Sequence, residues 1–177
     1  MLLATATAAL MLLQQAPAEG TDWDAEFGIE AKVRDPLTGE FPVAPYQQSN
    51  ANAGALPYAS PALVAAFGGR EGILRIAART VELSEADPRI AAIFASHDMV
   101  RLKRTLGEQL CYLIGAGCDY TGRDMRSVHA DMGLTKADLN ALVENLQAAM
   151  REAGVPFAAQ NRLLAKLAPM AREVVTR

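Results

Sequence analysis

Histidine occurs only twice in this chain, at His97 and His129, and cysteine only twice, at Cys111 and Cys118. Chemistry that needs an imidazole therefore has two candidates. His129 follows Met125 by one helical turn, precedes Met132 by nearly one, and sits between Val128 and Ala130 on a short segment. A neutral imidazole on such an apolar face can bind a metal through one nitrogen while the other donates a hydrogen bond that fixes the ring. The same placement also suits a histidine that is only a satisfied structural residue. His97, in the polar run Ser96-His97-Asp98, is read as a surface residue, with a second metal ligand as the alternative. Seven residues of continuous helix would hold the Cα atoms of Cys111 and Cys118 about 10 Å apart, beyond disulfide reach. Gly115 and Gly117 lie where a reversal would bring them together. Two readings stand: a disulfide in an exported protein, or two thiols in a cytosolic one. A metal site of both cysteines and a histidine is not expected, because two scattered cysteines lack a repeated ligand pair.

The elements that position these residues read as helices. Of the 177 residues, 51% are hydrophobic but only 6% aromatic, so the core is built from aliphatic side chains that suit helix-on-helix packing. Ile73, Ile76, Ala77, Thr80, Val81 and Ser84 recur at helical spacing until Asp87-Pro88 breaks the run. A short segment, Arg89 to Phe94, follows, and Asp98 can cap the next helix. There Leu102, Leu106, Leu110 and Leu113 form one stripe. Gly115-Ala116-Gly117 ends it, and a brief segment carries Met125, Val128 and His129 as far as Gly133. Thr135, with Asp138 in the reciprocal position, predicts a capped helix bearing Leu139, Leu142, Val143, Leu146 and Met150. Gly154 stops it, and one last helix is expected to carry Leu163, Leu164, Leu167, Met170 and Val174. The expectation is all-α, with five or six helices and no strand.

Residues 1–18 hold an apolar run, Met1 to Leu13, followed by Ala16-Pro17-Ala18, which reads as an export signal. That run is too short for a membrane span, which needs about 20 residues, so no stable span is expected. The first basic residue is Lys32, so the positive start usual in a signal is missing. An exported, periplasmic protein is the expectation and a cytoplasmic one the alternative. Residues 19–60, rich in Pro, Gly and polar residues and holding Trp23, read as a linker or an extended, wrapping arm, and residues 61–177 as the helical domain. With 17 basic against 20 acidic residues and no basic stripe, a nucleic-acid partner is not expected.

Phe67-Gly68-Gly69, Asp87-Pro88-Arg89, Phe94, Met99-x-Arg101-Leu102-Lys103, Tyr120-Thr121-Gly122-x-x-Met125-x-x-x-His129, Gly154-Val155-Pro156 and Leu167-Ala168-Pro169 occur in that order. From Phe67 to Val175 the chain thereby resembles the group 1 truncated haemoglobins. The resemblance implies a two-over-two helical sandwich around haem, with His129 as the proximal iron ligand, Met125 and Val128 beside it, and Phe94 on the haem face. Leu102 and Leu106 fall on the distal helix. Tyr120, Thr121 and Arg123 would meet the haem edge or propionates, or else form a solvated loop. No C-x-x-C-H motif occurs, so haem b, not a c-type haem, is expected.

Two departures bear on function. Val81 stands where the family usually has a distal Tyr, and Leu106 where it usually has Gln. Neither donates a side-chain hydrogen bond, and a donor to a charged acceptor contributes roughly 1.5 to 3 kcal/mol, so bound oxygen should be held weakly. The reading is a gas-binding protein for oxygen, carbon monoxide or nitric oxide, with an enzymatic role left open. Its alternatives are a haem-dependent nitric-oxide dioxygenase or peroxidase, or a haem-free helical module. A role for His97 as second ligand would favour exchange with an electron-transfer partner.

Overall fold

The computed structural model describes residues 32–177. The readings made for residues 1–18 and for Trp23 lie outside the described residues. Among those described there are α-helices, short 3-10 turns and no strand. In chain order the α-helices are α1 (Pro61–Ala66), α2 (Gly69–Ala86), α3 (Ala91–Phe94), α4 (Met99–Ile114), α5 (Met125–His129), α6 (Lys136–Glu152), α7 (Phe157–Leu167) and α8 (Ala171–Val174). The single last helix expected from the apolar spacing is divided. Pro169 lacks an N–H and crowds the preceding turn, so a 3-10 turn, Ala168–Met170, separates α7 from α8.

Local chemistry sets most helix ends. The Asp98 carboxylate accepts the N–H groups of Val100 and Arg101 at the start of α4, and Thr135 and Asp138 form a reciprocal capping box on α6. Gly115, in the left-handed region at φ 81°, closes α4 and donates its N–H to the carbonyls of Cys111 and Tyr112. With Gly117 also left-handed, the chain reverses and Cys118 returns to Cys111. The two are joined in a buried disulfide with a Cα–Cα separation of 5.7 Å.

α2 is the central helix, packed along α4 and α6, while α4 also meets α7 and α5 rests on α8. Ile73, Ile76 and Ala77 from α2, Leu110, Leu113 and Ile114 from α4, Met150 from α6 and Leu163 from α7 form the buried core. Gly107 permits the close crossing of α4 on α2. A Cβ there would meet Leu74 Cδ2 at 2.8 Å and Ala77 Cβ at 3.8 Å. Residues 33–60 lie along this domain. A 3-10 turn, Asn50–Ala53, inserts Ala53 fully into the core, and the Tyr58 N–H donates to the Leu113 carbonyl. Among the described residues no helix is long and apolar enough to cross a membrane.

Candidate functional site

His129 is the last residue of α5, a helix of five residues started by Asp124, whose carboxylate accepts the Ser127 N–H at 2.9 Å and the Ser127 hydroxyl at 2.7 Å. Its Nδ1 lies 2.7 Å from the Met125 carbonyl oxygen. A carbonyl only accepts, so Nδ1 carries the proton and donates. Burial pushes the imidazole pKa below its ordinary value, against the raising effect of that bond, and so favours the neutral ring. The lone pair therefore resides on Nε2, in the tautomer a metal-bound histidine adopts.

The leucine stripe of α4 has two different environments. Leu110 and Leu113 are wholly buried in the core, whereas Leu102 and Leu106, two turns and one turn before Leu110 on the same face, are only half-buried. α5 packs on α8 and not extensively on α4. The two helices touch at one end, where the Gln109 amide Nε2 lies 3.4 Å from Met125 Sδ. Val81 is buried within α2, and Phe94 ends α3 half-buried. Val128 is exposed beside His129, and Met125 is buried.

His97 is exposed, with Nδ1 3.5 Å from its neighbour's Ser96 hydroxyl. Together with Phe94, Glu85 and Met99 it lines a shallow cavity of about 420 Å³. The residues read as haem-edge candidates are engaged within the protein. The Tyr120 hydroxyl is turned inward and donates to the Arg123 carbonyl at 2.8 Å, packed over Gly122, where even a Cβ would collide with the ring. The Thr121 hydroxyl sits between Arg104 at 2.5 Å and Glu108 at 2.7 Å. The Arg123 guanidinium donates to the Ala44 carbonyl at 3.0 Å and stacks over Tyr46.

The donor set limits what metal these residues fit. Among the described residues no group of three or more His, Cys, Asp or Glu side chains converges on one point. A bare ion would find one nitrogen at His129 and no partners. Haem iron would need from the protein only one such nitrogen, that of His129, and the porphyrin would need apolar walls such as Leu102 and Leu106 could provide. The residues present fit haem.

Two contributors escape reading by local pattern. Gln109 follows Leu106 by three residues, so it shares the stripe, yet it is polar and only 6% exposed. Glu40, 5% exposed, binds Arg104 and Arg101 of α4 from more than sixty residues away. Gln109 could be found as the polar break in an apolar stripe; Glu40 carries no signal of its own.

An all-helical bundle in which a partly buried histidine ends a short helix and the leucine stripe of α4 is half-buried at its amino end is the arrangement expected of a globin. The profile of the bacterial-like globin family matches residues 62–176, and the chain belongs to that family. It is 32% identical over 91 residues to a group 1 truncated hemoglobin, GlbN, of Mycolicibacterium paratuberculosis, a match spanning 51% of this chain and 67% of the relative. It is 30% identical over 95 residues to the group 1 truncated hemoglobin LI410 of Chlamydomonas moewusii, covering 52% of this chain and 56% of that one. The Fe(III) truncated hemoglobin of Tetrahymena pyriformis superposes with a TM-score of 0.62 at 23% identity, over 65% of this chain and 98% of the other. The 2/2 hemoglobin of a Synechococcus species, solved in the cyanomet state with covalently attached heme, gives 0.60 at 24% identity over the same shares. The fold is the truncated, two-over-two globin fold.

Proposed function

We propose that this chain is a b-type haem globin that reversibly binds a diatomic gas at an iron held by His129. The single observation that carries the reading is the His129 imidazole. Its proton is committed to the Met125 carbonyl and its Nε2 lone pair is left for a ligand bond. Haem, when bound, supplies the open coordination position at which a gas attaches. His129 Nε2 would hold the iron, Met125 would fix the ring, and Leu102 and Leu106 would cover the opposite side and exclude water. The absence of a C-x-x-C-H motif, with both cysteines joined to each other, supports non-covalent haem b.

Val81, Leu102 and Leu106 offer no side-chain donor. That supports gas binding without tight oxygen retention, and it argues against oxygen activation, for which a polar distal group is needed to cleave O–O. The buried disulfide supports an exported protein working in an oxidising compartment. The test is to purify the full chain with haem supplied and record ferric, ferrous and carbonyl spectra. One haem per chain and a Soret band that shifts on adding carbon monoxide are expected. A folded sample without a Soret band overturns the reading.

A further inference from the structure

The segment before the family-matched residues is tied to both sides of the site. At the amino end of α4, Asp98 accepts the Arg34 guanidinium at 2.8 Å and the Phe41 N–H at 2.7 Å. Glu40 then lies against two guanidinium groups of α4, with Arg104 Nη2 and Arg101 Nη2 each at 3.0 Å, and Arg101 also donates to the Phe41 carbonyl at 2.8 Å. On an ideal helix Arg101, Arg104 and Glu108 lie nearly opposite Leu102 and Leu106, so this contact supports the distal helix from behind. Further along, the segment leaves α4 for the loop that leads into α5. The Tyr46 hydroxyl donates to the Thr121 carbonyl at 2.7 Å, and Asn52 Nδ2 to the Gly122 carbonyl at 3.1 Å. Asn50 accepts the Tyr120 N–H at 2.6 Å. It ends at Ala53, whose carbonyl takes the Gln109 amide at 3.1 Å, and that same amide rests on the sulfur of Met125.

These contacts form one continuous path from the back of the distal helix to the residue whose carbonyl orients His129. We propose that residues 34–54 are a brace that sets the haem site, with Glu40 and Gln109 as positioning residues acting through α4 and through Met125. The proposal rests on His129 holding haem. Nothing in the family match, which begins at residue 62, supplies this segment. Buried carboxylate–guanidinium bonds are costly to break on one side only, which gives the brace a defined seat on α4. Outer partners of a metal-bound histidine tune its hold on the metal by about ten- to a hundredfold.

The experiment uses the full chain loaded with haem, in the wild type, Glu40→Ala, Glu40→Asp and Gln109→Leu forms. Haem transfer to excess apomyoglobin and the iron–histidine stretching band of the ferrous form are measured, with helix content followed by circular dichroism. Haem loss about tenfold faster in Glu40→Ala or Gln109→Leu, with a displaced iron–histidine band, unchanged helix content and recovery in Glu40→Asp, is the expected result. Haem loss and band position unchanged from wild type in both Glu40→Ala and Gln109→Leu overturn the brace while leaving the haem reading intact. If one of those two does not fold, the other decides. A wild-type chain without a Soret band overturns both.

Discussion

His129 donates from Nδ1 to the Met125 carbonyl, and burial holds its pKa below the ordinary value of 6.5, so protonation of Nε2 is deferred to acid solution. The proton and the iron compete for the same lone pair. Haem retention should therefore be complete above the ordinary histidine value and be lost only in acid solution, below the already lowered pKa of the free imidazole. A Soret titration with its midpoint below pH 6.5 is expected, and haem release beginning above pH 7 would contradict the assignment. Glu40 is also shifted down: its hydrogen bond with Arg104 outweighs burial and brings its pKa down from 4.5. Its contribution to stability is present above the unfolded value and is lost as pH falls through the folded one. On the proposed distal side, Leu106 would leave bound oxygen without a donor. Replacing Leu106 with Gln should slow oxygen dissociation about tenfold or more, the equivalent of one hydrogen bond to a charged acceptor. Stopped-flow measurement of the off-rate checks this, and an unchanged rate would place Leu106 away from the gas.

Among the elements, α4 is the one constrained at both ends and from behind. Its carboxyl end is fixed by the disulfide across seven residues, a short loop whose closure restricts the unfolded chain by about 2.5 kcal/mol. Reduction should lower the urea midpoint accordingly, and a midpoint insensitive to reductant would mean that the pair is not bonded. At the start of α6, loss of the Thr135 cap in Thr135→Ala should cost about 1 kcal/mol, read from the same unfolding curves. Asp98, Thr135 and the Gly115–Gly117 reversal were legible in the sequence because each works within a few residues. The break at Pro169 was legible too, but the apolar spacing of Leu163, Leu167, Met170 and Val174 ran through it and suggested one helix. Arg123 has a type that suits a carboxylate, and the fold brings residues 44–46 against it, a contact that local sequence does not encode.

For the whole molecule, the globin fold was readable because several short motifs keep a fixed order from Phe67 to Pro169. The composition of residues 33–60, with prolines and polar runs, suggested only a linker or an arm. Its seat on the domain depends on pairs such as Glu40 with Arg104 and Asn52 with Gly122, separated by more than sixty residues, for which helical periodicity gives no sign. The proposed function depends above all on His129 as the iron's protein ligand. The most direct measurement is the absorption spectrum of ferrous His129→Gly protein with haem supplied, before and after adding imidazole. Loss of the five-coordinate histidine-ligated form, and its recovery when imidazole fills the gap left by the side chain, is the expected result. A variant that keeps the wild-type five-coordinate ferrous spectrum without imidazole would contradict it.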